Sequence, residues 1–195
     1  MYQKSLSGKN CLVTGASGGI GKEIAKLLVE NNCNIILTGK TKDKLEKLND
    51  TLKLINQNNV KIDFFPADIS KIEDIKKLIS FVNNLFPSID ILINCAGVFP
   101  ISSLQNASLE DFENCFNLNI KAPFILSKEF TKNMMEKQWG RIINIGSSSS
   151  YDGFKDTSIY CASKHALLGL SRSMFDELKE FNVRTFCISP GSVKT

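Results

Sequence analysis

The chain has 195 residues and a mass of 21.7 kDa, 43% of it apolar and 23% charged, a balance that suits one soluble domain burying on the order of 70% of its unfolded surface. No apolar run approaches the ~18 residues of a membrane span, and the opening Met-Tyr-Gln-Lys-Ser-Leu-Ser-Gly-Lys-Asn lacks the apolar core of a secretion signal, so a cytoplasmic protein is expected. The net charge of +4 comes from lysines interleaved with acids, as in Lys40 to Lys53, which reads as a solvated helix face and not as a nucleic-acid patch.

Short apolar runs alternate with longer amphipathic ones along the whole chain, the pattern of a parallel sheet covered by helices. Strands are predicted over Asn10 to Thr14, Asn34 to Thr38, Lys61 to Phe65, Ile89 to Asn94, Arg141 to Ile145 and Val183 to Ile188. Helices are predicted over Gly19 to Asn31, Lys42 to Ile55, Ile72 to Leu85, Leu109 to Gln138 and Ile159 to Phe181, the fourth bent or interrupted around Asn119 and Pro123. No repeat, linker or boundary divides residues 1–195, so one domain is expected. The six cysteines show no Cys-x-x-Cys spacing and His165 stands alone, which predicts idle thiols and no metal site.

Several strand ends carry chemistry. The first strand ends in Thr14-Gly15-Ala16-Ser17-Gly18-Gly19-Ile20-Gly21 and passes directly into a helix. Such glycines permit a tight turn and let backbone N–H groups at a helix N-terminus approach a diphosphate. Past the second strand stand Gly39, Lys40 and Thr41 in place of the acid that would bond a free ribose 2′-hydroxyl; the cation favours a 2′-phosphate, hence NADP(H) over NAD(H). Asp68, past the third strand, is placed to cap the next helix, to reach an adenine amino group, or to do both. Ala96 and Gly97, past the fourth, either admit a flat ligand or only begin a loop. Ser147 to Ser150 follow the fifth, where such sheets place their sites.

The stretch from Ser158 to Gly169 is amphipathic, and Tyr160 and Lys164 lie four residues apart on one helix face. A phenol beside a fixed cation is pulled toward phenolate, from its ordinary pKa of ~10 toward the range useful for proton transfer.

Thr14 to Gly21, Asn94 to Gly97, Asn119, Ser147, Tyr160, Lys164 and Pro190-Gly191 occur in this order across nearly the whole chain, which on these motifs resembles the short-chain dehydrogenase/reductase family. The resemblance implies a Rossmann-type doubly wound α/β fold, with a parallel sheet of strand order 3-2-1-4-5-6. It implies that Tyr160 is the general acid or base, that Lys164 lowers its pKa and bonds the nicotinamide ribose, that Ser147 donates to the substrate oxygen, and that Asn119 holds a water in a proton relay. Ser147, thirteen residues before Tyr160, matches the family spacing better than Ser148 to Ser150. Implied cofactor contacts are Gly15, Ser17, Gly19, Ile20, Gly21, Lys40, Thr41, Asp68, Ile69, Asn94, Ala96, Gly97, Tyr160, Lys164, Pro190, Gly191, Val193 and Thr195.

Cys95 departs from the family's Asn-Asn-Ala-Gly, and the chain stops at Thr195 where relatives continue into a substrate lid, a helix and a seventh strand. A fragment, or a naturally short member with an open pocket, is therefore expected. The implied activity is NADP(H)-dependent interconversion of a carbonyl and an alcohol on a small molecule. The substrate stays open among 3-oxoacyl, sugar, polyol and steroid-like compounds, and a catalytically silent NADP(H)-binding sensor or scaffold is the alternative. A homodimer through the helices carrying Asn119 and Tyr160 is implied, with a tetramer open.

Overall fold

The structure, a computed structural model, describes residues 6–193. Six apolar runs form strands β1 (Asn10–Thr14), β2 (Asn34–Gly39), β3 (Ile62–Pro66), β4 (Ile91–Asn94), β5 (Gly140–Ile145) and β6 (Val183–Ile188). All neighbouring pairs are parallel and the order is β3-β2-β1-β4-β5-β6, as the resemblance implied. The order reverses between β1 and β4, and such a switch point opens a crevice at the carboxyl ends of the strands.

Helices α1 (Gly19–Glu30), α2 (Lys42–Ile55), α3 (Ile72–Leu85), α4 (Leu109–Phe116), α5 (Ala122–Glu136) and α6 (Ser158–Leu178) connect the strands. Because successive strand residues point to opposite faces, Leu12, Ile36, Leu92 and Ile142 pack with Leu78, Leu126 and Met174 of α3, α5 and α6 on one side. Cys11, Val13, Ile35, Leu37, Ile91 and Ile93 pack under α1 and α2 on the other. Among the described residues this second layer does not reach the β6 edge, where Phe186 and Ile188 are 46% and 52% exposed. On α2 the charged side chains face water while Leu45, Leu48 and Leu52 are buried, so the lysine-rich stretch is a solvated helix face.

The predicted fourth helix is two helices joined by a π-turn over Asn117–Lys121. Pro123 has no N–H to give the carbonyl of Asn119, so the α-register cannot run through this point. The turn closes instead with the Ala122 N–H on the Asn117 carbonyl, five residues back. That extra residue turns the Asn119 side chain inward, where it is 1% exposed.

Candidate active site

The loop after β1 is built by contacts that only glycine allows. Gly15 has φ +62°, and a Cβ there would lie 2.7 Å from the Ala96 backbone; a Cβ on Gly21 would lie 2.3 Å from the Gly15 carbonyl oxygen. The glycine loop is therefore in direct backbone contact with the loop after β4 and with the start of α1. The Thr14 hydroxyl completes the joint, donating to the Ile93 carbonyl (3.3 Å) and accepting from the N–H groups of Cys95 (3.0 Å) and Ala96 (3.1 Å). Helix α1 starts at a Gly18 cap with no side-chain cap bond. Among the described residues no backbone acceptor meets the N–H groups of Gly19, Ile20 and Gly21, which leaves the positive end of the helix for an anion.

These N–H groups face a cavity of about 480 Å³. Of the cofactor contacts implied by sequence, Gly15, Ser17, Gly19, Ile20, Gly21, Lys40, Thr41, Asp68, Ile69, Ala96 and Gly97 line it. Gly18 of the same glycine turn lines it too, as do Lys44, Ala67, Val98, Asn114 and Leu118, which carried no sequence signal. The chemistry fits a dinucleotide: an anion-binding helix end, small residues where a flat group would lie, and a cation by the mouth. Asn94 stands behind the wall, 3% exposed, its amide donating to Asn144 Oδ1 (2.8 Å), whose own amide donates to Ser171 Oγ (2.8 Å). It thus ties β4 and β5 to α6 and does not line either cavity at the site.

Asp68 does not cap α3, whose N-cap is Lys71. One oxygen accepts from the Ser70 hydroxyl (2.6 Å), and the other lies 3.0 Å from Lys40 Nζ. Burial pushes this carboxyl up, but the Ser70 and Lys40 bonds outweigh burial and hold it below its ordinary range. The Lys40 side chain is 79% exposed, a weak tether that screening reduces further.

A second cavity of about 600 Å³ adjoins the first through Ile20, Cys95, Gly97 and Val98 and contains Ser147, Tyr160, Lys164, Pro190, Gly191 and Val193. Thr195 lies outside the described residues. Three of the four serines after β5 form a 3₁₀ turn, Ser148–Ser150, capped by Ser147, whose Oγ accepts from Ser149 N (3.2 Å) while Ser150 Oγ accepts from Ser147 N (3.2 Å). Ser149 and Ser150 are buried, whereas Ser147 lines the cavity with its hydroxyl beside the Tyr160 phenol. The Ser148 N–H donates to the Pro190 carbonyl (3.1 Å), fixing the loop after β6 beside this turn.

Lys164 is 5% exposed, and its Nζ donates to the Ile145 carbonyl (2.7 Å) at the end of β5. Burial lowers its pKa, with the nearby thiols of Cys187, Cys95 and Cys115 acting the other way. Tyr160 differs from the expectation of a lowered pKa. Burial raises its phenol, and the Ser147 hydroxyl only partly offsets this. The cause is geometric: Lys164 Nζ is bound to the strand end and sits 5.6 Å from the tyrosine ring centroid.

Asn119 lines neither cavity but is bonded on every side. Its Oδ1 accepts from Val98 N (3.0 Å), and its Nδ2 reaches the Val98 carbonyl (3.1 Å), Ser163 Oγ (3.0 Å) and Cys115 Sγ (3.3 Å). Ser163, fully buried, also donates to the Tyr160 carbonyl (2.7 Å). The π-turn, the loop after β4 and the first turns of α6 are thereby one hydrogen-bonded unit. Ser163 and Thr14 are the residues whose part in this assembly sequence spacing does not single out.

The chain matches the short chain dehydrogenase family over residues 9–195 and belongs to it. It is 36% identical over 190 residues to the 3-oxoacyl-acyl-carrier-protein reductase FabG of Rickettsia felis, covering 97% of this chain and 75% of that protein. An uncharacterized oxidoreductase of Staphylococcus aureus strain MRSA252 is 34% identical over 190 residues, covering 97% of this chain and 80% of that one. Among solved structures, a metagenomic short-chain oxidoreductase in complex with NADP superposes with a TM-score of 0.90 at 31% identity, covering 96% of this chain and 84% of that one. An NAD+-bound xylitol dehydrogenase has a TM-score of 0.90 at 29% identity, covering 98% and 73%. The protein is an oxidoreductase of the class that acts on CH–OH groups with a nicotinamide cofactor. No described helix is long and apolar enough to cross a membrane.

Proposed function

We propose that residues 1–195 form one catalytic domain that interconverts a carbonyl and an alcohol with NADP(H), Tyr160 carrying the proton. The observation that carries this reading is the joining of two cavities at Ile20, Cys95, Gly97 and Val98: an anion-binding helix end opens into one, and Ser147, Tyr160 and Lys164 face the other. A reduced nicotinamide cofactor, its diphosphate held at the α1 N-terminus by Gly19, Ile20 and Gly21, would supply the hydride for the carbonyl carbon. The Ser147 hydroxyl donates to the carbonyl oxygen and holds it beside the Tyr160 phenol, which gives that oxygen its proton. A tyrosine phenol is protonated at neutral pH, the form reduction requires, and burial raises its pKa further. Lys164, fixed on Ile145, places its side chain at the floor of the site, and Asn119 holds the Val98 backbone against the same helix.

The NADP(H) preference rests on Lys40 and Lys44 at the cavity mouth, with no acid at the end of β2. Lys40 can exchange the exposed Asp68 contact for a 2′-phosphate. The Rickettsia relative supports a 3-oxoacyl thioester as a substrate. A homodimer is supported by Leu109, Phe112 and Phe124 exposed on α4 and α5 and by Phe175 on α6, and a cytoplasmic location accords with the reading.

Fluorescence titration with NADPH and NADH tests the cofactor: tighter NADPH binding, weakened about tenfold by Lys40→Ala with NADH unchanged, is expected. A preference for NADH would refute the Lys40 argument. Oxidation of NADPH with a ketone panel tests the chemistry. Turnover that Tyr160→Phe abolishes is expected, and equal turnover in that variant would refute the proton role.

A further inference from the structure

Ser163 lines neither cavity, yet every hydrogen-bonding site of its buried hydroxyl is in use. The hydrogen goes to the Tyr160 carbonyl (2.7 Å), and the oxygen accepts from the Asn119 amide (3.0 Å) and from the Cys115 thiol (3.5 Å). Among the described residues, each hydrogen bond that runs from α6 to α4 or to the π-turn ends on this oxygen.

The contacts around Tyr160 close into a circuit. Its ring packs edge-on against Phe99, with centroids 4.5 Å apart and planes at 67°. Phe99 follows Val98, whose N–H and carbonyl are both held by the Asn119 amide. Asn119 bonds Ser163, and Ser163 returns to the Tyr160 backbone. Tyr160 is thus gripped by its ring at one end and by its carbonyl at the other. It stands in the first turn of α6, whose N-cap Thr157 makes no side-chain cap bond, so tertiary contacts must fix this turn. Without Ser163 the Asn119 amide keeps Val98 and Cys115 as partners, and the fold can outlast the loss while the circuit cannot.

We propose that Ser163 is a positioning residue for the reaction, holding the Tyr160 phenol beside Ser147 by closing the circuit through Asn119, Val98 and Phe99. The proposal rests on Tyr160 carrying the proton and adds the residue that sets where it stands. A displacement of 1 Å can cost about a hundredfold in rate, so a fraction of an ångström is worth about tenfold.

Steady-state reduction of the ketone that the wild type turns over fastest, by the full chain with NADPH, tests it. Ser163→Ala is expected to lower kcat about tenfold and to leave the NADPH Kd, from fluorescence, within about twofold of wild type, because the glycine turn at α1 lies outside the circuit. Ser163→Thr keeps the hydroxyl and should recover most of kcat. Cys115→Ala is the control: it removes a buried partner of the same oxygen and leaves the circuit closed, so kcat should change less than about twofold. Wild-type kcat in a folded Ser163→Ala protein, or an equal loss in Cys115→Ala, would overturn the proposal.

Ultraviolet titration needs no turnover, and so separates failure of this proposal from failure of the Tyr160 proton role. Released from its anchor the phenol gains water, and in Ser163→Ala its ionisation should move down toward the ordinary ~10. An unmoved Tyr160 overturns the proposal. Should Ser163→Ala not fold, Ser163→Cys, which leaves only a weak donor at this place, is measured in the same two ways with the same deciding outcomes.

Discussion

Tyr160 and Lys164 lie one helical turn apart, but the distance that matters is from Lys164 Nζ to the Ile145 carbonyl, 2.7 Å. The cation is committed to the strand end, and burial of the phenol then dominates, raising its pKa. The sign for stability follows directly. Between the unfolded tyrosine pKa of ~10 and the higher native value, the folded protein binds more protons than the unfolded one, so stability falls as pH rises through that window. Ultraviolet difference titration of the wild type against Tyr160→Phe is expected to reveal one tyrosine ionising above the ordinary range. An extra tyrosinate appearing below it would contradict the burial account. Ser163 supports a second prediction at this scale. Its hydroxyl joins the Asn119 amide to the Tyr160 carbonyl in a fully buried place, so Ser163→Ala should cost about 1–3 kcal/mol, measured by urea denaturation.

Among the elements, the turn from β1 into α1 is the one least able to change. Gly21→Ala puts a Cβ 2.3 Å from the Gly15 carbonyl oxygen, a backbone atom that cannot step aside. An expected loss of about 1–3 kcal/mol should appear in thermal melting, together with weaker NADPH binding by fluorescence. Gly18→Ala is the control, because its Cβ would meet the same oxygen at 3.3 Å. It is expected to cost less than about 1 kcal/mol, the scale of a modest change at an N-cap. Equal losses in the two variants would contradict a steric reading of this turn. The π-turn at Asn117–Lys121 works in the same backbone terms: Pro123 breaks the α-register, and the inserted residue aims Asn119 at Val98.

Across the whole molecule the two sheet faces are unequally covered. Helices α3, α5 and α6 close one face, whereas α1 and α2 leave Phe186 and Ile188 exposed at β6 on the other. Apolar surface of this kind binds apolar partners or associates with itself. The 195-residue chain should therefore bind an apolar dye and self-associate, and Phe186→Ser with Ile188→Ser should reduce both while leaving NADPH binding intact. Undiminished dye binding in the double variant, followed by fluorescence and sedimentation, would locate the sticky surface elsewhere.

The strands, the glycine turn and the pairing of Tyr160 with Lys164 were legible in the sequence because each depends on local rules, whereas the sheet order and the choice of Ser147 came from the family resemblance. Buried parallel strands must be apolar on both faces, backbone contact demands glycine, and residues four apart share a helix face. Three features were decided only by tertiary structure. The Asp68 carboxylate was engaged by Ser70 and Lys40 instead of capping α3; Asn94 was drawn behind the cavity wall onto Asn144; and Lys164 was turned to Ile145, which reversed the expected shift of Tyr160. The Asn94 and Lys164 partners lie 50 and 19 residues away in the chain, and Asp68 meets Lys40 from another strand end, so these choices depend on what the fold brings within reach.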